Sequence, residues 1–164
     1  QKEFGKIDGL NIGMLGDLKY GRTVHSLLYA LALFKNIKVF HIAPESLRMP
    51  PHIIEDTNGR VEVIESSTLE EFLPELDLLY ATRIQKERFA EPLEYEKVKN
   101  VFILRKSILE NTKENFRIMH PLPRVDEIHP ELDETKAALY FTQAANGIPV
   151  REALLKILDR RKKQ

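Results

Sequence analysis

The sequence predicts a doubly wound α/β fold, a mostly parallel sheet with helices on both faces. Short apolar runs alternate with segments of helical periodicity, as is typical of parallel sheets. The first run, LNIGML at residues 10–15, is apolar on both faces, as expected for a strand covered on each side. The length of 164 residues suits one domain with one main core. We therefore expect residues 1–164 to form a single domain.

The apolar runs predict six strands. They lie at residues 10–15, 37–42, 61–64, 77–80, 101–104 and 117–119. A long polar loop is expected between the fourth and fifth strands.

Helical spacing and helix-start signals predict the intervening helices. The expected helical segments are residues 22–34, 51–56, 67–73 and 107–111, and a final region from 140 onward. In that last region we expect Gly147 and Pro149 to kink or break the helix. The short basic run at residues 160–163 predicts a solvated helix end.

Composition excludes several classes of function. The 25 Lys and Arg balance 25 Asp and Glu, so no long-range field attracts nucleic acid or an anionic membrane. Zero Cys excludes disulfides, thiolate metal sites and a cysteine nucleophile, and this suits a cytoplasmic location. The sequence indicates no metal, no cofactor and no membrane span. Since the chain begins with Gln1 and not Met, we expect an excised domain or a processed product.

Ligands of such sheets bind at the carboxyl ends of the strands, where the loops 16–22, 82–92 and 120–126 are expected. In the first loop, Arg22 and free N–H groups at a helix start favour a small anion. The alternative is a tight glycine turn without a ligand. The glycines at 13, 16 and 21 lack the dinucleotide-binding spacing, so a nucleotide-binding module is disfavoured.

The second loop places Arg83 and Gln85 on the same side if the strand geometry continues. A guanidinium can bind a carboxylate bidentately and an amide can add a directional hydrogen bond, which predicts a dicarboxylate or amino-acid site. The alternative is an exposed charged loop in which Glu87 pairs with Lys86 or Arg88.

The third loop, HPLPR at residues 120–124, has two prolines that fix φ and leave a rigid row of carbonyl acceptors. Such acceptors can bind an amide or an amine. His120 is either a structural residue or a general acid or base.

Four blocks make the sequence resemble a known family. They are GDLKYGRTVHSL at 16–27, TRIQKER at 82–88, HPLPRVDEI at 120–128 and YFTQAANGIPVREALL at 140–155. In this order they resemble the carboxyl-terminal, aspartate-binding domain of aspartate carbamoyltransferase catalytic chains, over essentially the whole chain. A non-catalytic interaction domain derived from that family is the alternative.

The resemblance implies roles for single residues. Arg22 and Arg83 would bind the carboxylates of aspartate, and Gln85 would assist. The backbone carbonyls of the loop Pro121, Leu122 and Pro123 would position the carbamoyl amide and the attacking amino group. Lys19 and Tyr20 match a loop of subunit contacts, whereas Glu87, Arg88 and the segment 91–95 match a mobile loop and hinge.

The resemblance also implies the reaction. The amine of L-aspartate would attack carbamoyl phosphate, giving N-carbamoyl-L-aspartate and phosphate in pyrimidine biosynthesis. The amino-terminal carbamoyl-phosphate domain has no match here, so we expect the isolated chain to be inactive. The family forms homotrimers, often with regulatory chains, and its last helix crosses to the amino-terminal domain. Without that domain, we expect apolar residues of this helix to be exposed.

Overall fold

The computed structural model describes residues 2–162, with side chains through residue 160. Its centre is a parallel sheet in the order β3-β2-β1-β4-β5. The strands are β1 (Asn11–Leu15), β2 (Ile37–Ile42), β3 (Val61–Ser66), β4 (Leu78–Ala81) and β5 (Arg117–Met119). The predicted parallel α/β architecture is therefore confirmed.

The order of winding reverses at β1. From β1 the chain winds outward to β2 and β3, then returns to pair β4 on the other side of β1. Leu15 is the register partner of Ala81, so β1 and β4 end side by side. The loops that follow these two strands must therefore diverge from a common point at the carboxyl edge of the sheet.

Two apolar cores cover the two faces of the sheet. The α-helices are α1 (Arg22–Leu31), α2 (Pro51–Glu55), α3 (Pro92–Val98) and α4 (Tyr140–Lys162). One face packs against α1, which buries Val24 and Leu28 completely, and against Ile53 of α2. The other face packs against the turns at 69–76 and against Tyr140 at the start of α4.

The predicted strand at 101–104 is wrong. Val101 and Ile103 are exposed, and only the buried Leu104 forms an isolated bridge, with Ile128. The N–H of Leu104 donates to Glu127 O, and the N–H of His129 donates to Leu104 O. An apolar run becomes a strand only where a neighbouring strand pairs along it, and here pairing is limited to one residue.

The predicted helix at 67–73 is also wrong, because these residues form successive turns. The hydroxyls of Ser66 and Thr68 donate to the carboxylate of Glu71 and do not cap a helix. Conversely, α3 lies within the expected loop. Its signal is Pro92 in the first helical turn, where the missing N–H costs nothing. The predicted turn at 107–111 is confirmed as the 3₁₀ helix Lys106–Asn111.

Of the expected kink or break in the last helix, the break is wrong. α4 runs without interruption from Tyr140 to Lys162, with Pro149 inside it. The carbonyl that Pro149 leaves unbonded can be hydrated there, because residues 144–146 and 148–160 of the helix are exposed to solvent. Its exposed apolar side chains include Ile148, Val150, Leu154, Leu155, Ile157 and Leu158.

The expected exposure of the helix after Gly147 is thus confirmed for its side chains through residue 160. Of the basic run at 160–163, Lys163 lies outside the described residues. Among residues 2–162, no helix combines the length and the apolar character needed to cross a membrane.

Candidate functional site

A cavity of about 190 Å³, here called the site cavity, opens where β1 and β4 end. It lies at the switch point at which parallel α/β sheets bind ligands. Residues from all three predicted loops and from the start of α1 line it. They are Asp17, Gly21, Arg22, Thr23, Thr82, Arg83, Gln85, Arg88, His120, Pro121, Leu122 and Pro123.

The first loop is held against the second by a close backbone approach. Gly16 has φ +108°, and a Cβ there would lie 2.4 Å from Thr82 O, so only glycine fits. The N–H of Asp17 donates to Thr82 Oγ1 at 3.0 Å, and that hydroxyl donates to Leu15 O at 3.0 Å. Thr82 therefore ties the end of β4 to the end of β1.

Asp17 anchors the wall of the site cavity. Its side chain is 1% exposed, and its Oδ2 lies 3.0 Å from Nη1 of Arg88. Its Oδ1 accepts the N–H of Tyr20 at 2.9 Å. Because the buried carboxylate is paired and hydrogen-bonded, the guanidinium of Arg88 is fixed at this wall.

Arg83 is held much more loosely than Arg88. Its Nη2 lies 3.5 Å from Oε1 of Glu87, whose side chain is 68% exposed. The pairing of Glu87 with Lys86 or Arg88, given as part of the alternative, is therefore wrong, since Glu87 pairs with Arg83 and Arg88 with Asp17. A solvated pair of this kind contributes little and can be exchanged for a ligand carboxylate.

Arg83 and Gln85 also border a larger cavity of about 530 Å³, here called the outer cavity. The two side chains thus share a wall, although the strand itself ends at Ala81. Glu87 lines the outer cavity and Arg88 the site cavity.

The electrostatic balance of the site cavity differs from that of the chain. Three arginines, Arg22, Arg83 and Arg88, line it together with one acidic residue, Asp17. Among the described residues, the side chain of Arg22 has no ion-pair partner within 4.0 Å. Two of the three cations are therefore available to an anionic ligand, in a protein whose formal net charge is zero.

The third loop forms the opposite wall with Pro121, Leu122 and Pro123. The Leu122–Pro123 bond is cis, and Leu122 has φ +51°. His120, at the start of this loop, is 1% exposed. Its N–H donates to Oε1 of Gln143 at 2.9 Å, and its Nδ1 accepts the N–H of Leu122 at 2.9 Å.

The other ring nitrogen of His120, Nε2, lies 2.8 Å from Oε1 of Glu127, off the line of a well-formed hydrogen bond. Burial raises the pKa of Glu127, but contact with His120 and backbone N–H groups outweighs it and lowers that pKa below its ordinary value. Glu127 is therefore ionised at neutral pH. Since Nδ1 already accepts a hydrogen bond and Nε2 faces Glu127 inside the protein, His120 is a poor general acid or base for a ligand.

Two residues named from the sequence lie away from both cavities. Lys19 and Tyr20 are exposed, with Nζ of Lys19 5.1 Å from the centroid of the Tyr20 ring. Conversely, Asp17 and Thr82 were not predicted as site residues. Thr82 directly follows β4, and Asp17 follows β1 after a single glycine, so the position of a polar residue behind a buried strand could have identified both.

Comparison with known proteins agrees with this geometry. Residues 8–158 match the family described as aspartate/ornithine carbamoyltransferase, Asp/Orn binding domain. The chain is 58% identical over 156 residues to the aspartate carbamoyltransferase catalytic subunit of Thermococcus kodakarensis. That match covers 94% of this chain and 50% of the relative, so the chain spans about half the length of such relatives.

Solved structures give the same result. The catalytic subunit of Methanocaldococcus jannaschii aspartate transcarbamoylase superposes with a TM-score of 0.87 at 50% identity, over 96% of this chain and 52% of that chain. The Trypanosoma cruzi aspartate transcarbamoylase in complex with N-(phosphonacetyl)-L-aspartic acid superposes with a TM-score of 0.86 at 38% identity. It is covered to 50%, and 94% of this chain is aligned.

Proposed function

The chain belongs to the aspartate/ornithine carbamoyltransferase family through its Asp/Orn binding domain, and we propose that its site cavity binds L-aspartate. The observation that carries this proposal is the pair of available guanidinium groups, Arg22 and Arg83, in a small cavity at the switch point. Aspartate has two carboxylates, and bidentate guanidinium pairs are the strongest way to hold them.

The charged and amide side chains of the site cavity have defined parts in this proposal. Arg22 and Arg83 bind the carboxylates, and the amide of Gln85 adds a directional hydrogen bond. The guanidinium of Arg88 stays on Asp17 and shapes the wall. Release of Arg83 from Glu87 costs little because that pair is solvated and 3.5 Å apart.

In the complete reaction we propose, the amine of aspartate attacks carbamoyl phosphate and forms N-carbamoyl-L-aspartate and phosphate for pyrimidine biosynthesis. The backbone carbonyls of Pro121, Leu122 and Pro123 face the carbamoyl amide and the attacking amine. Catalysis rests on proximity and on electrostatic stabilisation, with no covalent intermediate. The Trypanosoma cruzi enzyme has been solved with carbamoyl phosphate and aspartate bound, which supports these substrates.

The carbamoyl-phosphate side of the site belongs to a second, amino-terminal domain, so the isolated chain is inactive and binds aspartate weakly. Lys19 and Tyr20 make subunit contacts, while Glu87 and the hinge around it close over the substrate. The working enzyme is a cytoplasmic homotrimer, in some cases with regulatory chains. Relatives that are catalytic subunits favour this enzyme over a non-catalytic interaction domain.

The test is an NMR titration of the isotope-labelled chain with L-aspartate. Arg83→Ala should weaken binding roughly 10- to 100-fold, because a charged hydrogen-bond partner is lost. Arg83→Lys keeps the positive charge but loses the bidentate geometry of the guanidinium. Its affinity for L-aspartate should therefore lie between that of the unaltered chain and that of Arg83→Ala. Arg60→Ala, an exposed arginine that lines neither cavity, is the matched control. Equal affinity of the Arg83 variants and the unaltered chain would contradict the proposal.

A second experiment tests the reaction. The chain is mixed with the half of the Thermococcus kodakarensis catalytic subunit that it does not match, and carbamoyl-aspartate formation is measured. We expect turnover only in the mixture, and none when the mixture contains Arg83→Ala. Turnover by the chain alone would show that the second domain is unnecessary.

A further inference from the structure

His120 is a buried polar residue at the lining of the site cavity, and its ring contacts the loop 121–123. We propose that His120 is a positioning residue, whose Nδ1 holds the Leu122 amide so that the 121–123 carbonyls keep the geometry needed for the amine of aspartate. This inference rests on the proposed function and assigns to His120 a role apart from acid–base chemistry.

The contacts of the ring determine which nitrogen carries the proton. Nδ1 accepts the N–H of Leu122 at 2.9 Å, so Nδ1 itself has no proton. In the neutral ring the proton is then on Nε2, which lies 2.8 Å from Oε1 of the ionised Glu127. Glu127 is itself held by the N–H of Val125, which donates to Oε2 at 3.1 Å. The negative charge of this carboxylate favours a proton on the nitrogen that faces it, although the contact is not aligned as a hydrogen bond.

The backbone of Leu122 needs such support. Its φ of +51° is in the left-handed region, which is unfavourable for a residue with a side chain. A neighbouring acceptor within the same turn favours this conformation over the extended alternatives. Because Leu122 lies between the two prolines, its conformation sets the directions of the carbonyls in the loop.

The backbone of His120 is fixed from the opposite side. Its N–H donates to Oε1 of Gln143 in α4. The side chain of Gln143 also contacts the hydroxyl of Tyr80, as does Thr23, the neighbour of Arg22. The loop is therefore connected to the neighbour of Arg22 through the half-buried Gln143, the buried Tyr80 and the exposed Thr23.

The side-chain chemistry supplies a matched pair of variants. In His120→Asn, Oδ1 stands at the same number of bonds from Cα as Nδ1 and can accept the N–H of Leu122. In His120→Gln, the amide reaches the position of Nε2 and can face Glu127, but no acceptor remains near Leu122. The two amide side chains have similar polarity. A difference between the variants therefore reports the loss of the Nδ1 contact and not a change in how the space is filled.

The first measurement needs no variant. A scalar coupling between the amide nitrogen of Leu122 and Nδ1 of His120, together with a ring-nitrogen spectrum showing the proton on Nε2, is expected in the unaltered chain. Absence of the coupling, or a proton on Nδ1, would overturn the proposal even if no variant folds.

The second measurement is L-aspartate affinity by the same NMR titration. We expect His120→Asn to bind within about threefold of the unaltered chain, and His120→Gln to lose about tenfold, which corresponds to one hydrogen bond. Amide exchange at Leu122 should be fast only in His120→Gln. Equal affinity of the two variants would mean that His120 is only structural.

The two proposals fail in different ways. If the unaltered chain binds aspartate and both His120 variants bind as well as it does, the positioning role alone is wrong. If the unaltered, folded chain does not bind aspartate, the proposed function is wrong and the positioning role is overturned with it.

Discussion

The wall of the site cavity and the outer half of α4, residues 147–160, depart from the usual distribution of side chains in opposite directions. The wall buries polar groups, among them Asp17 and His120, whereas the outer half of α4 exposes apolar ones such as Leu154. In the wall, the carboxylate of Asp17 and Nδ1 of His120 have partners at hydrogen-bond distance. Stability and shape of the site therefore depend on polar pairing and not on the outer half of α4.

The largest effect on the free energy of unfolding is expected from a substitution in the wall of the site cavity. Asp17→Asn leaves the guanidinium of Arg88 without its counter-charge, and we expect a loss of about 3–4 kcal/mol in the free energy of unfolding. Urea unfolding followed by circular dichroism measures it. Glu87→Gln removes a carboxylate from the solvated pair with Arg83 and should cost under about 1 kcal/mol. Similar losses of unfolding free energy in the two variants would mean that the buried pair Asp17–Arg88 contributes no more than the solvated pair Arg83–Glu87.

His41 is a buried polar group without a hydrogen-bond partner in the described part of the chain, in contrast to the paired carboxylate of Asp17 in the wall. His41 on β2 is 2% exposed, and neither ring nitrogen has a hydrogen-bond partner among residues 2–162. Burial lowers the pKa of His41 from 6.5 to about 4. The unfolded chain thus takes up a proton near pH 6.5, while the folded chain resists it until about pH 4.

The contribution of His41 is accordingly complete above pH 6.5 and is lost as the pH falls towards 4, by roughly 3 kcal/mol in total. His41→Leu should remove this part of the pH dependence and should not destabilise the protein at pH 7. Unfolding free energies of both proteins at several pH values between 7 and 4 provide the test. Parallel curves for the two proteins would show that His41 is not responsible.

The smallest expected effect lies in the outer half of α4. Leu154→Ala should change the free energy of unfolding by no more than about 0.5 kcal/mol, because the side chain is already in solvent. Leu28→Ala in α1 makes the same chemical change at a fully buried position and should cost about 2–5 kcal/mol. A comparable loss at Leu154 would mean that this helix is packed in solution.

The sequence predicted most of the sheet and less of what connects it. Five runs became strands because each has a neighbouring strand that pairs along it. The run at 101–104 does not form a strand, because only Leu104 pairs, through its bridge to Ile128. Strand pairing depends on residues that are distant in sequence, so the apolar run alone could not show this. The helix predicted at 67–73 does not form, because the hydroxyls of Ser66 and Thr68 donate to Glu71 and do not cap a helix start.

For the candidate site, the sequence identified Arg22, Arg83 and Gln85, because charged and amide side chains after buried strands lie at the ligand-binding edge. It did not identify Asp17, whose partner Arg88 is 71 residues away. Nor did it assign the pairing of Glu87, since three cations lie within four residues of it along the chain and only the folded loop selects Arg83.

The sequence by itself determined the alternation of strands and helices, the cation-rich loops at the carboxyl edge and the family, since these depend on local periodicity and short motifs. Only the tertiary structure decided which cation is fixed and which is available, which histidine has partners, and which apolar face is covered. Those properties depend on contacts between residues far apart in the chain, whose free energies are set by burial and distance.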